Sequence, residues 1–250
     1  MNIRALVAEV VGTFTLVFFG SLGVATYVIA TQGQGGPIYV LLIVPFAFGL
    51  GLMAAIAIAG PASGGHFNPA VTVAALLDGR LDWKNSIAYG VAQLIGAFAA
   101  SLLTFVITSM PVVQATVNQP GPTAEAPFDV ELHAVIVEAV LTAVFIAVIL
   151  TVTRKSPDQA IIVIPLTLVA IHFVGIFISG ASVNPVRSIA PAVLSGTYGS
   201  LWVYITGPFV GAILGWGIYR FLNPADDEEE DEDDGDDEFD ELVYDKEADD

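Results

Sequence analysis

An Asn-Pro pair follows a loop of small residues in the stretch from residue 63 to residue 72, which reads Ser63-Gly64-Gly65-His66-Phe67-Asn68-Pro69-Ala70-Val71-Thr72. Asn is a favoured N-cap and Pro is favoured at the first helical position, so Asn68-Pro69 predicts the start of a helix after a small-residue loop. The apolar segment that follows ends near residue 77, which makes this helix too short to cross a bilayer. We therefore predict a half-helix over residues 68–77.

A second stretch repeats the pattern and reads Ser179-Gly180-Ala181-Ser182-Val183-Asn184-Pro185-Val186-Arg187-Ser188. Its Asn184 lies 116 positions after Asn68, and the short apolar segment that it opens predicts a second half-helix over residues 184–194. Irregular backbone at membrane depth survives only where protein or water satisfies it. Both stretches are therefore predicted to be re-entrant loops, provided that the rest of the chain is a membrane protein.

Six longer apolar segments support a membrane protein. Each is close to or above the roughly 20 residues that a transmembrane helix needs, and they cover residues 4–30, 38–59, 83–107, 131–153, 160–178 and 200–222. Only 14% of the residues are charged, against about a quarter in soluble domains. The chain holds no cysteine, which excludes disulfides and thiolate metal sites.

The two halves of the chain are related in sequence. Glu9 and Thr13 in the first segment match Glu138 and Thr142 in the fourth. Stripes of small residues recur in the third and sixth segments, at Ala92, Gly96, Ala100 and at Gly207, Gly211, Gly215. Because each half has three spans, the second half enters the membrane upside down. We predict an all-α membrane protein with six transmembrane helices, two re-entrant half-helices and an inverted repeat, with repeats at about 1–107 and 131–222.

The charges predict the orientation and a separate tail. Apart from Arg187, the basic residues of the body fall on the side of the N-terminus, at Arg4, Arg80, Lys84, Arg154, Lys155 and Arg220. The positive-inside rule then places both termini in the cytoplasm. Residues 1–222 are predicted to form the membrane body and have a net charge of −1, whereas residues 223–250 carry −17 and are predicted to be a disordered acidic cytoplasmic tail. No basic footprint for nucleic acid is present.

The two Asn side chains suggest a site for a polar solute. If each Asn caps its own half-helix through its oxygen, its amide nitrogen keeps two protons, and Asn68 and Asn184 face one another across a lumen. The positive ends of both half-helix dipoles point to the same spot. Such a site is expected to orient water and to repel cations and protons, an effect already known from aquaporins.

Residues 4–222 resemble the aquaporin (major intrinsic protein) family through these two motifs. The second motif departs at Val186, where the family usually has Ala. The resemblance implies a passive single-file water channel in the cell membrane, in contact with lipid and assembled as a homotetramer, with no enzymatic activity, cofactor or metal. The motif residues at the pore centre are Asn68, Pro69, Ala70, Asn184, Pro185 and Val186.

A narrow selectivity filter is also implied by the resemblance. Arg187 is a basic residue inside an apolar segment, a placement that usually marks a pathway, and the resemblance makes it the filter arginine. The other filter positions carried over are Phe48, His172 and Ala181. This set is of the water type, since glycerol-type relatives usually have a small residue at the His position. The alternative is a facilitator of glycerol or another small neutral solute.

Glu9 and Glu138 are acids within apolar segments and allow two interpretations. They form a proton relay if the chain is a proton-coupled transporter. The resemblance instead implies that they accept hydrogen bonds from loop N–H groups and so turn loop carbonyls toward the pore. Those carbonyls belong to Gly64, Gly65, His66, Phe67, Gly180, Ala181, Ser182 and Val183. A third possibility is a membrane scaffold that acts through its tail.

Overall fold

A computed structural model describes residues 2–121 and 129–224. The predicted acidic tail, apart from Asn223 and Pro224, lies outside the described residues. Within them the secondary structure is helical, with nine α-helices and a single 3-10 turn at Pro157–Gln159. The helices are α1 Ile3–Thr31, α2 Pro37–Ser63, α3 Pro69–Leu77, α4 Trp83–Ile107, α5 Met110–Ala115, α6 Val130–Lys155, α7 Ala160–Gly175, α8 Pro185–Ser195 and α9 Val203–Leu222.

The predicted fold class is confirmed. Among the described residues, six helices are long and apolar enough to cross a membrane, and α3 and α8 are the two half-helices. Three borders differ from the prediction by three residues or more, and the first is the end of α2, which lies at Ser63 rather than at residue 59. Helix α7 ends at Gly175 rather than at residue 178, because residues 176–178 turn into the second loop, and α9 begins at Val203 rather than at residue 200. Helix α5 was not predicted, since six residues give no periodic signal.

Helix packing follows the same plan in both halves. Helix α1 packs on α2 and α4, and α6 packs on α7 and α9. The stripes of small residues lie at these contacts: a Cβ atom on Gly96 would overlap the Val10 carbonyl of α1, and a Cβ on Gly211 would overlap the Ala139 carbonyl of α6. Glycine is therefore required at both positions for the backbones to approach this closely.

The outer surface of the bundle is apolar. Leu42, Leu50 and Ile58 of α2 are each more than half exposed, as is Val106 of α4. Water would not stabilise such a surface, whereas lipid chains do. The helices therefore belong to an integral, multi-pass membrane protein.

The two half-helices connect the two halves of the protein. Helix α3 contacts α9, and α8 contacts α4, so each half-helix packs against a helix of the other repeat. Arg80, just after α3, anchors that end: it pairs with Asp78 at 2.7 Å and donates to the Leu150 carbonyl of α6 at 3.0 Å and to Thr153 Oγ1 at 2.7 Å. The half-helix is thereby fixed at its C-terminal end as well as at its Asn cap.

Candidate functional site

The two Asn residues cap the half-helices as the sequence predicts. Asn68 Oδ1 accepts a hydrogen bond from the Ala70 N–H at 2.9 Å, and Asn184 Oδ1 accepts from the Arg187 N–H at 3.5 Å. Pro69 and Pro185 occupy the first helical positions. Both caps are buried, so the N-terminal ends of α3 and α8 are brought together inside the protein.

The Asn amide nitrogens differ from the prediction in one respect. Asn68 Nδ2 donates to the Val183 carbonyl at 2.7 Å, and Asn184 Nδ2 donates to the Phe67 carbonyl at 2.9 Å. The expectation that both protons of each amide stay free is therefore wrong, because one proton ties each Asn to the opposite loop. One proton per amide is left for a solute, and the exchange locks the two loops to one another.

Three of the eight predicted pore carbonyls already accept a hydrogen bond in the structure. The carbonyls of Phe67 and Val183 accept from the Asn amides, and the Gly180 carbonyl accepts from Asn118 Nδ2 at 3.0 Å. Within the described residues we find no donor for the carbonyls of Gly64, Gly65, His66, Ala181 and Ser182. These five carry the remaining unsatisfied acceptors of the two loops.

Glu9 holds the first loop through both of its carboxylate oxygens. Oε1 accepts from Ser63 Oγ at 2.7 Å and from the His66 N–H at 3.1 Å. Oε2 accepts from the Phe67 N–H at 2.8 Å and from Gln93 Nε2 at 2.7 Å. Four donors on a fully buried carboxylate form a rigid brace, and charge-assisted hydrogen bonds are the strong kind.

Glu138 holds the second loop in the same manner. Oε1 accepts from Ser179 Oγ at 2.7 Å and from the Ser182 N–H at 2.8 Å, while Oε2 accepts from the Val183 N–H at 2.8 Å. Glu138 is also fully buried, and it has three donors where Glu9 has four. The acids therefore contact the loops, which is the geometry that bracing needs.

The last residue before each Asn has a strained backbone. Phe67 and Val183 have φ angles of +49° and +46°, in the left-handed region that β-branched and bulky residues rarely adopt. At Val183 the strain is held from both sides, since its N–H binds Glu138 and its carbonyl binds Asn68. Strain of this kind persists only where the surroundings over-determine it, and it is concentrated at functional sites.

Three of the four predicted filter residues are brought together. The rings of Phe48 and His172 stack with centroids 4.6 Å apart, and the Arg187 guanidinium lies 4.5 Å from the centroid of the Phe48 ring. All three side chains are more than nine-tenths buried. An aromatic ring, an imidazole and a guanidinium thus form one compact group.

The filter group keeps polar atoms without partners. His172 Nδ1 lies 2.9 Å from the Leu168 carbonyl, which can only accept, so the proton sits on Nδ1 and Nε2 is an acceptor. Among the described residues, His172 Nε2 and the Nε and Nη1 atoms of Arg187 have no hydrogen-bond partner. The group therefore keeps one unused acceptor on His172 and three unused N–H donors on Arg187, one on Nε and two on Nη1.

Ala181, the fourth predicted filter residue, is placed elsewhere. Its side chain is fully buried and packs against Gly175, and Ala181 lines neither of the cavities that meet at Arg187. Its backbone is in the left-handed region, with φ of +49°. The place of Ala181 in the filter stays a prediction.

Two cavities meet at the filter. The first, of about 330 Å³, runs from Arg80 past both Asn caps to Phe48, His172 and Arg187, and we call it the Arg80-side cavity. The second, of about 360 Å³, is lined by Tyr27, Gln114 and Arg187, and we call it the Tyr27-side cavity. Arg187 lines both cavities, so it lies between them.

Several contacts that hold the re-entrant loops were not predicted from the sequence. Tyr89 and Tyr204 donate their hydroxyls to the carbonyls of Ser63 and Ser179, at 2.9 Å and 2.7 Å. The two tyrosines are 115 positions apart, the same offset as the small-residue stripes, so the repeat could have identified them. Asn118 gives no such signal, because it lies between the repeats.

No group of three metal-ligating side chains occurs in residues 2–121 and 129–224.

Comparisons with known proteins agree with this architecture. The family model described as Major intrinsic protein matches residues 1–219. The chain is 40% identical to Glycerol uptake facilitator protein-like 6 of Lactiplantibacillus plantarum, over 89% of this chain and 100% of that protein. It is 39% identical to Aquaporin Z of Photorhabdus laumondii, over 88% and 97% of the two chains. The aquaglyceroporin structure from Plasmodium falciparum has a TM-score of 0.77 at 23% identity, covering 88% of this chain and 96% of that one.

Proposed function

Because the chain belongs to the major intrinsic protein family, whose members are membrane channels and not enzymes, we propose that it is a passive water channel that excludes protons and ions. The observation that carries this proposal is the group formed by Phe48, His172 and Arg187 where the two cavities meet. A permeant passing this point loses its bulk hydration, and the group holds one unused acceptor on His172 and unused N–H donors on Arg187.

The size and polarity of the filter group favour water over glycerol. The imidazole and the guanidinium both lie against the Phe48 ring, so no apolar wall is left for a carbon chain. A solute that does not fit loses its hydrogen bonds to water without replacing them, and this costs several kcal/mol. Water can replace its lost bonds with the free atoms of His172 and Arg187.

Exclusion of protons and cations follows from two features. Arg187 places a positive charge between the two cavities, and the half-helices direct their positive ends toward the Asn caps. The free proton of each Asn amide can donate only, so water between Asn68 and Asn184 is oriented by its oxygen. A chain of waters that all point in one direction is thereby interrupted.

Glycerol is the second candidate permeant. One relative is named a glycerol uptake facilitator-like protein, and most residues that line the Arg80-side cavity are apolar, such as Leu52, Ile56 and Phe145. An apolar wall suits a carbon backbone. This cavity lies on one side of the filter, however, and selection takes place at the filter itself.

The repeat, the orientation of the termini and the oligomeric state are also part of the proposal. We infer an inverted repeat over residues 1–107 and 131–222, both termini in the cytoplasm and a homotetramer in the cell membrane. The equivalent contacts of Glu9 and Glu138 support the repeat. Glu9 and Glu138 serve as braces, because every carboxylate oxygen already accepts a hydrogen bond and neither acid lines the two cavities.

The experiment uses purified full-length protein in liposomes. Stopped-flow light scattering measures water and glycerol permeability in the same preparation, and a pH-sensitive dye inside the liposomes measures proton flux. We expect high water permeability, low glycerol permeability and a proton flux equal to that of empty liposomes. Glycerol flux comparable with the water flux would favour the facilitator, and water flux that follows a proton gradient would favour the transporter.

A further inference from the structure

The segment between the two repeats reaches the second re-entrant loop. Residues 116–121, which we call the connector segment, follow α5 and lie against the second loop and α8. Within the segment, Asn118 is 6% exposed. A buried amide has to place both its donor and its acceptor, so its partners show what the segment holds.

Asn118 joins the two ends of the filter loop. Its Nδ2 donates to the Gly180 carbonyl at 3.0 Å, and its Oδ1 accepts from Ser188 Oγ at 2.8 Å. Gly180 comes just before Ala181, and Ser188 follows Arg187 directly. One side chain therefore spans the seven residues that lead from the loop into the half-helix and that include the filter arginine.

The hydrogen bonds continue into the loop. Ser188 Oγ lies 2.6 Å from Ser182 Oγ, and Ser182 Oγ lies 3.0 Å from the Asn184 carbonyl that opens α8. Because the proton of Ser188 goes to Asn118, the hydroxyl of Ser182 is the donor toward Ser188 or Asn184. Asn118 thus ends a chain of polar contacts that starts at the Asn cap.

A second contact fixes the connector segment itself. The Gly121 N–H donates to the Ile178 carbonyl at 2.8 Å. A Cβ atom on Gly121 would overlap the Phe177 carbonyl, so only glycine fits at this position. Asn118 is therefore held in place by the fold and does not depend on its own two hydrogen bonds.

The first loop has no equivalent of this clamp. In residues 2–121 and 129–224 we find no donor for the Gly64 carbonyl, which corresponds to Gly180. Thr72, which corresponds to Ser188, accepts instead from Gln93 Nε2 at 2.9 Å, within its own repeat. Support from a residue between the two repeats is therefore found, among the described residues, only at the loop that carries Arg187.

We propose that Asn118 is a positioning residue of the selectivity filter. It holds the Gly180 carbonyl and Ser188 in place, and so it sets where the Arg187 backbone and guanidinium stand relative to Phe48. Without it, the loop samples wider arrangements and the filter admits larger solutes. This inference rests on the proposed function of the filter and adds that a residue outside both repeats controls its width.

The test measures the ratio of glycerol to water permeability in liposomes for wild type and Asn118→Ala. This ratio does not depend on how many channels insert, so a merely structural loss leaves it unchanged. We expect the ratio to rise about two- to tenfold, which corresponds to the net contribution of about one hydrogen bond. The control is Gln34→Ala, which removes an exposed amide from the connection between α1 and α2 and should keep the wild-type ratio.

Ser188→Ala keeps the inference testable if Asn118→Ala fails to insert. It removes only the hydrogen bond to Asn118 Oδ1 and should raise the ratio less than Asn118→Ala does. The double variant should match Asn118→Ala, because both substitutions break one chain of contacts. A wild-type ratio in the inserted variants would overturn the inference, whereas a high ratio in wild type itself would overturn only the proposed water selectivity.

Discussion

The two re-entrant loops share a frame and differ in what is attached to it. In both, a buried Glu accepts from a Ser hydroxyl and from two successive backbone N–H groups, and a Tyr hydroxyl donates to the Ser carbonyl. The first loop has one more donor to its Glu, from Gln93. The second loop has Arg187 and the clamp from Asn118. The shared frame builds a loop at membrane depth, and we propose that the additions make the second loop selective.

The position of Arg187 shows this most clearly. Its equivalent in the first loop, 116 positions earlier, is Val71, which is buried and apolar. A guanidinium is stable here because Glu138 lies in the same loop frame and because the Phe48 ring lies beneath it. The two loops thus share a frame and differ at this position, and we propose that this difference provides the selection.

The largest expected effect comes from making the two loops alike at this position. Arg187→Val gives the second loop the residue of the first. A unit charge about 4 Å from a cation contributes roughly 4 kcal/mol at an effective dielectric constant of about 20, so cation leak should rise by well over tenfold. Leak is measured with a fluorescent cation indicator in liposomes.

Arg220→Val is the matched control, because Arg220 is exposed and lines neither of the two cavities. It should leave the leak at the wild-type level. If Arg187→Val stayed as tight to cations as wild type, the assignment of charge exclusion to the second loop would be wrong.

The second-largest expected effect is a loss of stability, which should differ between variants of Glu9 and of Glu138. Glu138→Gln and Glu9→Gln each leave at least one buried N–H without its acceptor, at a cost of about 1–3 kcal/mol. The loss should be smaller for Glu9→Gln, because Gln93 can turn its amide and offer Oε1, which has no partner in the described structure. The measurement is the thermal midpoint in detergent, followed by size-exclusion chromatography.

Transport by these variants tests the rival interpretation. Neither variant should show water flux that depends on a proton gradient, since the acids act as acceptors for the loops. A gradient-dependent flux in wild type that either substitution abolished would establish the proton relay instead. Equal destabilisation by both variants would show that Gln93 gives no compensation.

The smallest expected effect concerns the acidic tail. Truncation after Asn223 removes most of the negative charge of the chain, yet the filter contacts all lie within residues 2–121 and 129–224. Water permeability per channel should therefore stay within error of wild type. The measurement is stopped-flow permeability normalised to the channel number from quantitative blotting, and a clear loss in correctly inserted protein would give the tail a role in conduction.

Much of the fold could be predicted because a bilayer imposes simple rules. Span length, the placement of Lys and Arg, and the recurrence of Asn68-Pro69 at Asn184-Pro185 are visible in the sequence. The exchange of hydrogen bonds between the Asn amides and the opposite loops could not be predicted, since it depends on the distance between loops 116 residues apart.

The rest of the site depends on local geometry that has no periodic signature. The left-handed backbone of Ala181, with φ of +49°, is not visible in the sequence. Asn118 lies in a segment without a repeat partner, and nothing in its neighbours marks it. Helix α5 positions that segment and is too short to recognise.

The most direct test of the account is the ratio of glycerol to water permeability in wild type and in the double variant His172→Gly with Phe48→Trp. Removing the imidazole opens space beside Arg187, and the larger aromatic ring offers an apolar face to a carbon chain. We predict a low ratio in wild type and a rise of about tenfold or more in the double variant, which corresponds to about 1.4 kcal/mol or more, with ions still excluded by Arg187. A wild type that already passes glycerol as readily as the double variant does would contradict the account.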